Sequence, residues 1–307
     1  MTRFLRPHPP LMLFSLLMTA VTLASLGGLI FDDRILVGSP IWFKPLKFGL
    51  SLALYGVTLA WMLTLTTRLR RVGWWAGTVI ALAGTAEMAV IIGQVVRGRR
   101  SHFNVATPLD ERLWDLMAVT IVTLWVMHAV IAVVLALTRF ADPAAGVAIR
   151  LGLLLSLVGL GLGFLMTPPA PGQDDDGGVI GAHSVGVPDG GPQMALTGWA
   201  TTGGDLRVPH FVGIHALQVI PLLVVAFGRR ATPKLAGGLT IGYAGLLALL
   251  TWQALRGQPL TRPDLLTALG ALAVATWTGA VIAKTLRSTE TTKTTDTTDH
   301  AKEVVRA

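Results

Sequence analysis

Apolar residues in this chain fill long, nearly unbroken blocks separated by short polar stretches. They do not recur at the three-to-four-residue interval of a half-buried surface helix. The blocks span residues 11–31, 41–66, 73–96, 113–137, 148–168, 209–228, 236–255 and 263–286. Each suffices for the ~20 apolar residues that cross ~30 Å of hydrocarbon. The pattern predicts an all-α fold: a polytopic integral membrane helical bundle of about eight transmembrane helices. Local signals support the boundaries. Pro108, followed by Asp110 and Glu111, opens the fourth block as helix starts usually do. The first block follows Arg3 and Arg6 and is longer than the ~7–15 residues of a signal-peptide core, so it is expected to stay as a helix.

Composition agrees with the pattern. The 307 residues are 52% hydrophobic and only 14% charged, where soluble domains carry about 25% charged residues. A soluble globular domain, a disordered chain and a nucleic-acid binder are excluded. The absence of cysteine excludes disulfides, iron–sulfur clusters and thiolate zinc sites. No Walker A, H-E-x-x-H or G-x-S-x-G pattern occurs, and the glycines 159, 161 and 163 lie in an apolar block, so no nucleotide cofactor is expected.

The net charge of +8 resolves into a topology signal. With the N-terminus inside, fifteen of the 25 Lys and Arg residues fall in cytoplasmic segments, while eleven of the 17 acids fall outside. Both termini are therefore expected in the cytoplasm. Residues 1–287 form the transmembrane domain, and 288–307, with eight Ser and Thr, read as a disordered cytoplasmic tail. The forty-residue segment 169–208 joins blocks five and six on the outer side. Its ten glycines, the Asp174–Asp176 run, His183, Asp189 and Arg207 suggest an extracytoplasmic cap. The composition points to a bacterial inner membrane, with lipid as the general partner.

A repeat is also suggested. Gln94-Val-Val-Arg97-Gly98 ends block three and Gln253-Ala-Leu-Arg256-Gly257 ends block seven, 159 residues on. Each precedes a proline and an acid, which would map helices 1–4 onto 5–8 in parallel, as transporters often do. Ordinary helix punctuation is the plainer account of the same residues.

Ionisable groups inside hydrocarbon are costly and hence candidates for function. Glu87 lies roughly 14 Å below the outer end of its helix, and Gln94, seven residues on, shares its face. With Asp205 and Arg207 these are the catalytic candidates. His102, His183, His210 and His215 gather towards the outer side, and imidazoles suit transition metals or haem. A spacing of five sets His210 and His215 about 140° apart on a regular helix, which does not aim both at one ion. His128, deeper in helix four, is the minority haem candidate. It reads otherwise as a neutral histidine bonded across helices. Lys44, Lys47, Arg97, Arg99, Arg100 and Asn104 form a candidate basic vestibule for an anionic substrate or lipid headgroup; headgroup snorkelling is the plainer account of the lysines. Two functions follow: a membrane enzyme or redox protein, metal- or haem-dependent, with a His/Asp/Arg-lined outer site, or a secondary transporter or channel for a small anionic or amphipathic solute using Glu87 and Gln94.

Overall fold

In the computed structural model residues 7–170, 173 and 177–287 are described; Arg3, Arg6, the Asp174–Asp176 run and the expected tail at 288–307 lie outside them. The apolar blocks are helices: α1 (Pro9–Phe31), α2 (Phe43–Thr64), α3 (Arg70–Val96), α4 (Pro108–Ala136), α5 (Pro143–Gly161), α6 (Arg207–Ile214), α7 (Ala216–Phe227), α8 (Pro233–Leu255) and α9, whose apolar part is Leu265–Arg287. Three starts share one device. Thr107, Asp142 and Thr232 each cap the helix with a side-chain oxygen, and a proline fills the first helical position, where no amide donor is needed. Among the described residues, seven helices are long and apolar enough to cross a membrane, and the bent pair α6–α7 makes an eighth if it counts as one span.

That bend corrects the regular sixth helix assumed from the apolar pattern. α6 and the segment after it meet at 49°, and His215 sits in the break. Neighbouring helices satisfy carbonyls there: Ser156 Oγ on α5 donates to Ile214 O at 2.9 Å, and Tyr243 Oη on α8 donates to Val212 O at 2.6 Å. Irregular backbone at membrane depth is tolerated where protein groups supply its hydrogen bonds.

The two halves repeat one packing scheme. α1 packs on α2 and α3, and α3 packs on α4. In the second half α5 packs on α6, α7 and α8, and α8 packs on α9. One apolar core centres on Leu11, Leu59 and Ile80 of the first half and takes in Ile149, Leu153 and Leu217 of the second; another lies within the second half, around Ala148, Ile220 and Leu239. The corners match in chemistry as well. Gly98 and Gly257 both take the left-handed conformation after a helix end, closed by bonds from Arg99 N to Gln94 O and from Gln258 N to Gln253 O. Arg97 then pairs with Asp110, and Arg256 with Asp264, each acid near the start of the following helix. A second correspondence, offset by 164 residues, aligns Pro45, Gly49 and Ser51 of α2 with Pro209, Gly213 and His215. Ser51 Oγ and His215 Nε2 lie 3.3 Å apart, so corresponding positions of the halves meet.

The first corner is the stronger one. Asp110 is fully buried; its Oδ1 accepts from Gln94 Nε2 at 2.8 Å and Arg97 Nη1 at 2.6 Å, and its Oδ2 accepts from Thr107 Oγ1 at 2.7 Å. Asp110→Ala strands these donors and is expected to cost about 2–3 kcal/mol, read as a lowered unfolding midpoint in detergent. Asp264→Ala, at the solvent-exposed corner, should shift that midpoint far less; equal shifts would refute the ranking.

Segments 32–42, 97–107, 177–206 and 256–264 lie together at one end of the bundle, the cap side. Strands β1 (Ile35–Leu36) and β2 (Ser39–Pro40) form a hairpin whose Gly38 carbonyl accepts from Gln193 Nε2 of the cap. β3 (Ser184–Val185) pairs with β4 (Gly204–Asp205). Phe103, Met166, Leu206 and Ala254 make a small apolar core beneath the cap.

Candidate functional site

The site begins with the return of the α3–α4 loop into the bundle. After Gly98 the chain turns inward, burying Ser101, Phe103 and Asn104. Asn104 locks the turn: its Nδ2 donates to Arg100 O at 2.9 Å, and its Oδ1 accepts from Ala106 N. Phe103 is held at φ +61°, a conformation that costs a non-glycine residue about 1 kcal/mol or more. Its ring wedges between Trp114 and His183, with centroids 5.3 and 4.9 Å away. The turn thereby carries His102 down to the carboxylate on α3. His102 Nε2 lies 3.6 Å from Glu87 Oε1, just beyond hydrogen-bond length. Glu87 is 3% exposed, and its Oε2 accepts from Thr120 Oγ1 of α4 at 3.1 Å.

Two further imidazoles face this pair from the cap and from α6. His183 Nδ1 bonds Asp189 Oδ2 at 2.8 Å, and the backbone amides of His183 and Ser184 donate to the same carboxylate. Burial acts to raise the Asp189 carboxyl, but these donors outweigh it and hold it well below the usual carboxylate value. His210 Nδ1 donates to Gly159 O at 2.7 Å. The ring occupies space that exists because residue 163 is glycine: a Cβ there would lie 3.0 Å from His210 Cε1. In both residues Nδ1 is engaged and Nε2 remains available. His102 lies within electrostatic range of His183, His210 and Lys44. Glu87 and the histidines, which the sequence assigned to rival functions, therefore occupy one neighbourhood.

Other candidates take different places. His215 turns to Ser51 and meets the Phe211 ring edge-on. The bend, more than the angular spacing of a regular helix, sends His210 and His215 to different neighbours. Gln94 and Arg97 belong to the Asp110 clamp, and Asn104 serves its own turn. Asp205 holds Arg207 through two guanidinium nitrogens and accepts from Ala200 N; Arg207 Nη2 also donates to Gly198 O at 2.6 Å. Lys47 Nζ donates to Thr197 O at 2.8 Å. Arg99 is exposed and Arg100 half-buried. His128 is fully buried between Tyr55 Oη at 2.8 Å and Leu153 O at 3.1 Å, with both ring nitrogens engaged and none left for a haem iron. Among the described residues, no three His, Asp or Glu side chains are grouped so as to hold a metal ion.

Sequence reasoning missed Thr120, Ser101, Phe103 and Trp114. Their contributions depend on an inward-turned loop and on close helix packing, neither of which has a periodic signal.

Burial, then the charge of Lys44 and the nearby His183 and His210, holds His102 well below the ordinary histidine value. The unfolded chain takes up that proton near pH 6.5 while the folded loop resists it. The stability it contributes is thus fully present above about pH 6.5 and is lost as the pH falls below that value. The unfolding midpoint in detergent is expected to drop on acidification, and His102→Gln to reduce the drop. An unchanged acid dependence in that variant would exclude His102 as a cause.

No family model, curated protein or solved structure matches the chain.

Proposed function

We propose that this multi-pass protein of a bacterial inner membrane is an enzyme with its cap outside, and that Glu87 and His102 form its acid–base centre. The observation that carries the reading is the Glu87–His102 pair, a buried carboxylate and an imidazole 3.6 Å apart. Aromatic rings of Phe48, Phe103 and Trp114 surround the imidazole. Such surroundings exclude water and strengthen proton transfer between fixed partners. Glu87 gives a proton to the substrate or takes one from it, His102 exchanges with Glu87, and Thr120 keeps the carboxylate oriented. Asp189 fixes the His183 ring, and the Gly159 carbonyl fixes that of His210.

A secondary transporter is the second reading. It is favoured by the bent sixth span beside His210 and by the matching halves, because discontinuous helices at repeat interfaces commonly carry transport sites.

The readings separate in vesicles made with and without the protein. An enzyme changes the chemical identity of a lipid or solute. A transporter changes only its distribution, and that result would overturn the first reading. Reporter tags test the orientation: one after residue 180 should report outside and one after residue 232 inside.

A further inference from the structure

The basic vestibule expected from sequence is divided by the structure, and its remainder is short of negative charge. Arg97 is consumed by the Asp110 clamp, and Arg207 is neutralised by Asp205. Lys47 and Arg207 are drawn to adjacent carbonyls of one cap turn, Thr197 and Gly198, which gathers both cations beneath the cap. Lys44 belongs to the same neighbourhood. It lies within electrostatic range of Lys47, Arg100 and Arg207, and of one carboxylate, Glu87. It is also in range of the neutral edges of His102 and His183.

The Lys44 ammonium has a ring contact, 5.8 Å from the centroid of Phe48, and Phe48 in turn lies against His102. Among the described residues no hydrogen bond or ion pair satisfies it; Glu87 Oε2 accepts from Thr120, and its Oε1 faces His102 at 3.6 Å. Asp189 is committed to His183. Among the described residues, Lys44 is therefore left with Glu87 as its one nearby carboxylate, while Lys47 shares Asp205 with Arg207. A half-buried ammonium without a protein acceptor is unfavourable, and an anion would supply one.

We propose that Lys44 is the centre of an oxyanion subsite, which holds the phosphate or carboxylate group of the substrate beneath the cap, beside Glu87 and His102. The inference rests on the acid–base reading, because it supplies the handle that sets a substrate against that pair. Arg100 and Lys47 add charge from the two sides. The available Nε2 atoms of His183 and His210 complete a polar lining that does not repel an anion as further carboxylates would.

The test uses the full chain in phosphatidylcholine nanodiscs, titrated calorimetrically with inorganic phosphate and with acetate. At least one anion should bind the wild type. Lys44→Met should weaken that binding tenfold or more, Lys44→Arg should restore most of it, and Lys234→Met, at the opposite end of the bundle, should leave it unchanged. Lys44→Arg also guards against misfolding as the cause of a loss. If neither anion binds the wild type, or if Lys44→Met binds as well as the wild type, the proposal is overturned. Nanodiscs containing phosphatidylglycerol identify the source. Competitive loss of phosphate binding marks a lipid headgroup, and unchanged binding marks a soluble anion; both outcomes support the subsite. Repeating the titration in buffers of different ionisation enthalpy measures linked proton uptake. If Lys44-dependent binding persists but Glu87→Gln leaves the proton uptake unaltered, the subsite stands and the acid–base reading falls.

Discussion

Glu87→Gln is expected to leave the bundle folded and to remove turnover by a factor of about 10²–10⁴, the usual contribution of a positioned proton-transfer group. Glutamine keeps the shape of the side chain and still offers Thr120 an acceptor, so the site is preserved while its proton is lost. His102→Gln should act in the same direction. The informative variant is the double one: if the carboxylate and imidazole work as a unit, removing both costs little more than the worse single change. Thr120→Val should have a smaller effect, since it loosens the carboxylate without discharging it. The assay is turnover of whichever compound wild-type vesicles alter and protein-free vesicles do not, accompanied by an unfolding curve for each variant. Normal turnover by a folded Glu87→Gln protein would remove Glu87 from the chemistry.

The parts of this site differ in how far local sequence specifies them. The spans are legible because each is a continuous apolar block, and such a block has one stable state in hydrocarbon, a helix with all its backbone bonds internal. Burial of Glu87 and Gln94 follows from the same logic, since polar groups on a span turn inward. Their separation in function does not. Gln94 goes to Asp110 because Gly98 ends α3 where Arg97 can reach across the corner, whereas Glu87 meets His102 only because the loop folds back. That return depends on the turn held by Asn104 and on the left-handed backbone of Phe103, a residue type that gives no sign of the conformation. The bend between α6 and α7 is hidden for a related reason. The apolar run continues across it, and the groups that make it tolerable, Ser156 and Tyr243, come from α5 and α8. What the Gln-x-x-Arg-Gly correspondence reveals is the corner geometry shared by both halves, and through it the arrangement that brings Ser51 to His215.

Gly213→Ala should be among the most damaging single-methyl additions in the molecule, and it should damage the site as well as the fold. A Cβ on Gly213 would lie 2.4 Å from Gly159 Cα, and one on Gly159 would lie 2.2 Å from Gly213 C. The obstructing atoms are backbone, so relief requires α5 and α6 to separate. Small residues at such crossings allow the close approach on which helix association in membranes depends. Overpacking of this kind costs about 1–3 kcal/mol and occasionally more; contact with rigid backbone places this site at the upper end. Gly159 also supplies the carbonyl that orients His210, and α6 carries the ring itself. Separating the helices therefore breaks the bond that fixes His210. Gly93→Ala and Gly237→Ala are the controls, since a Cβ at either meets nothing within 4 Å and alanine favours a helix over glycine by up to about 1 kcal/mol. Unfolding midpoints in detergent should fall for Gly213→Ala and hold or rise for the controls. Activity of Gly213→Ala should be reduced even well below its unfolding midpoint, where the chain remains helical. A variant that lost stability but kept full activity would show that the orientation of His210 is dispensable.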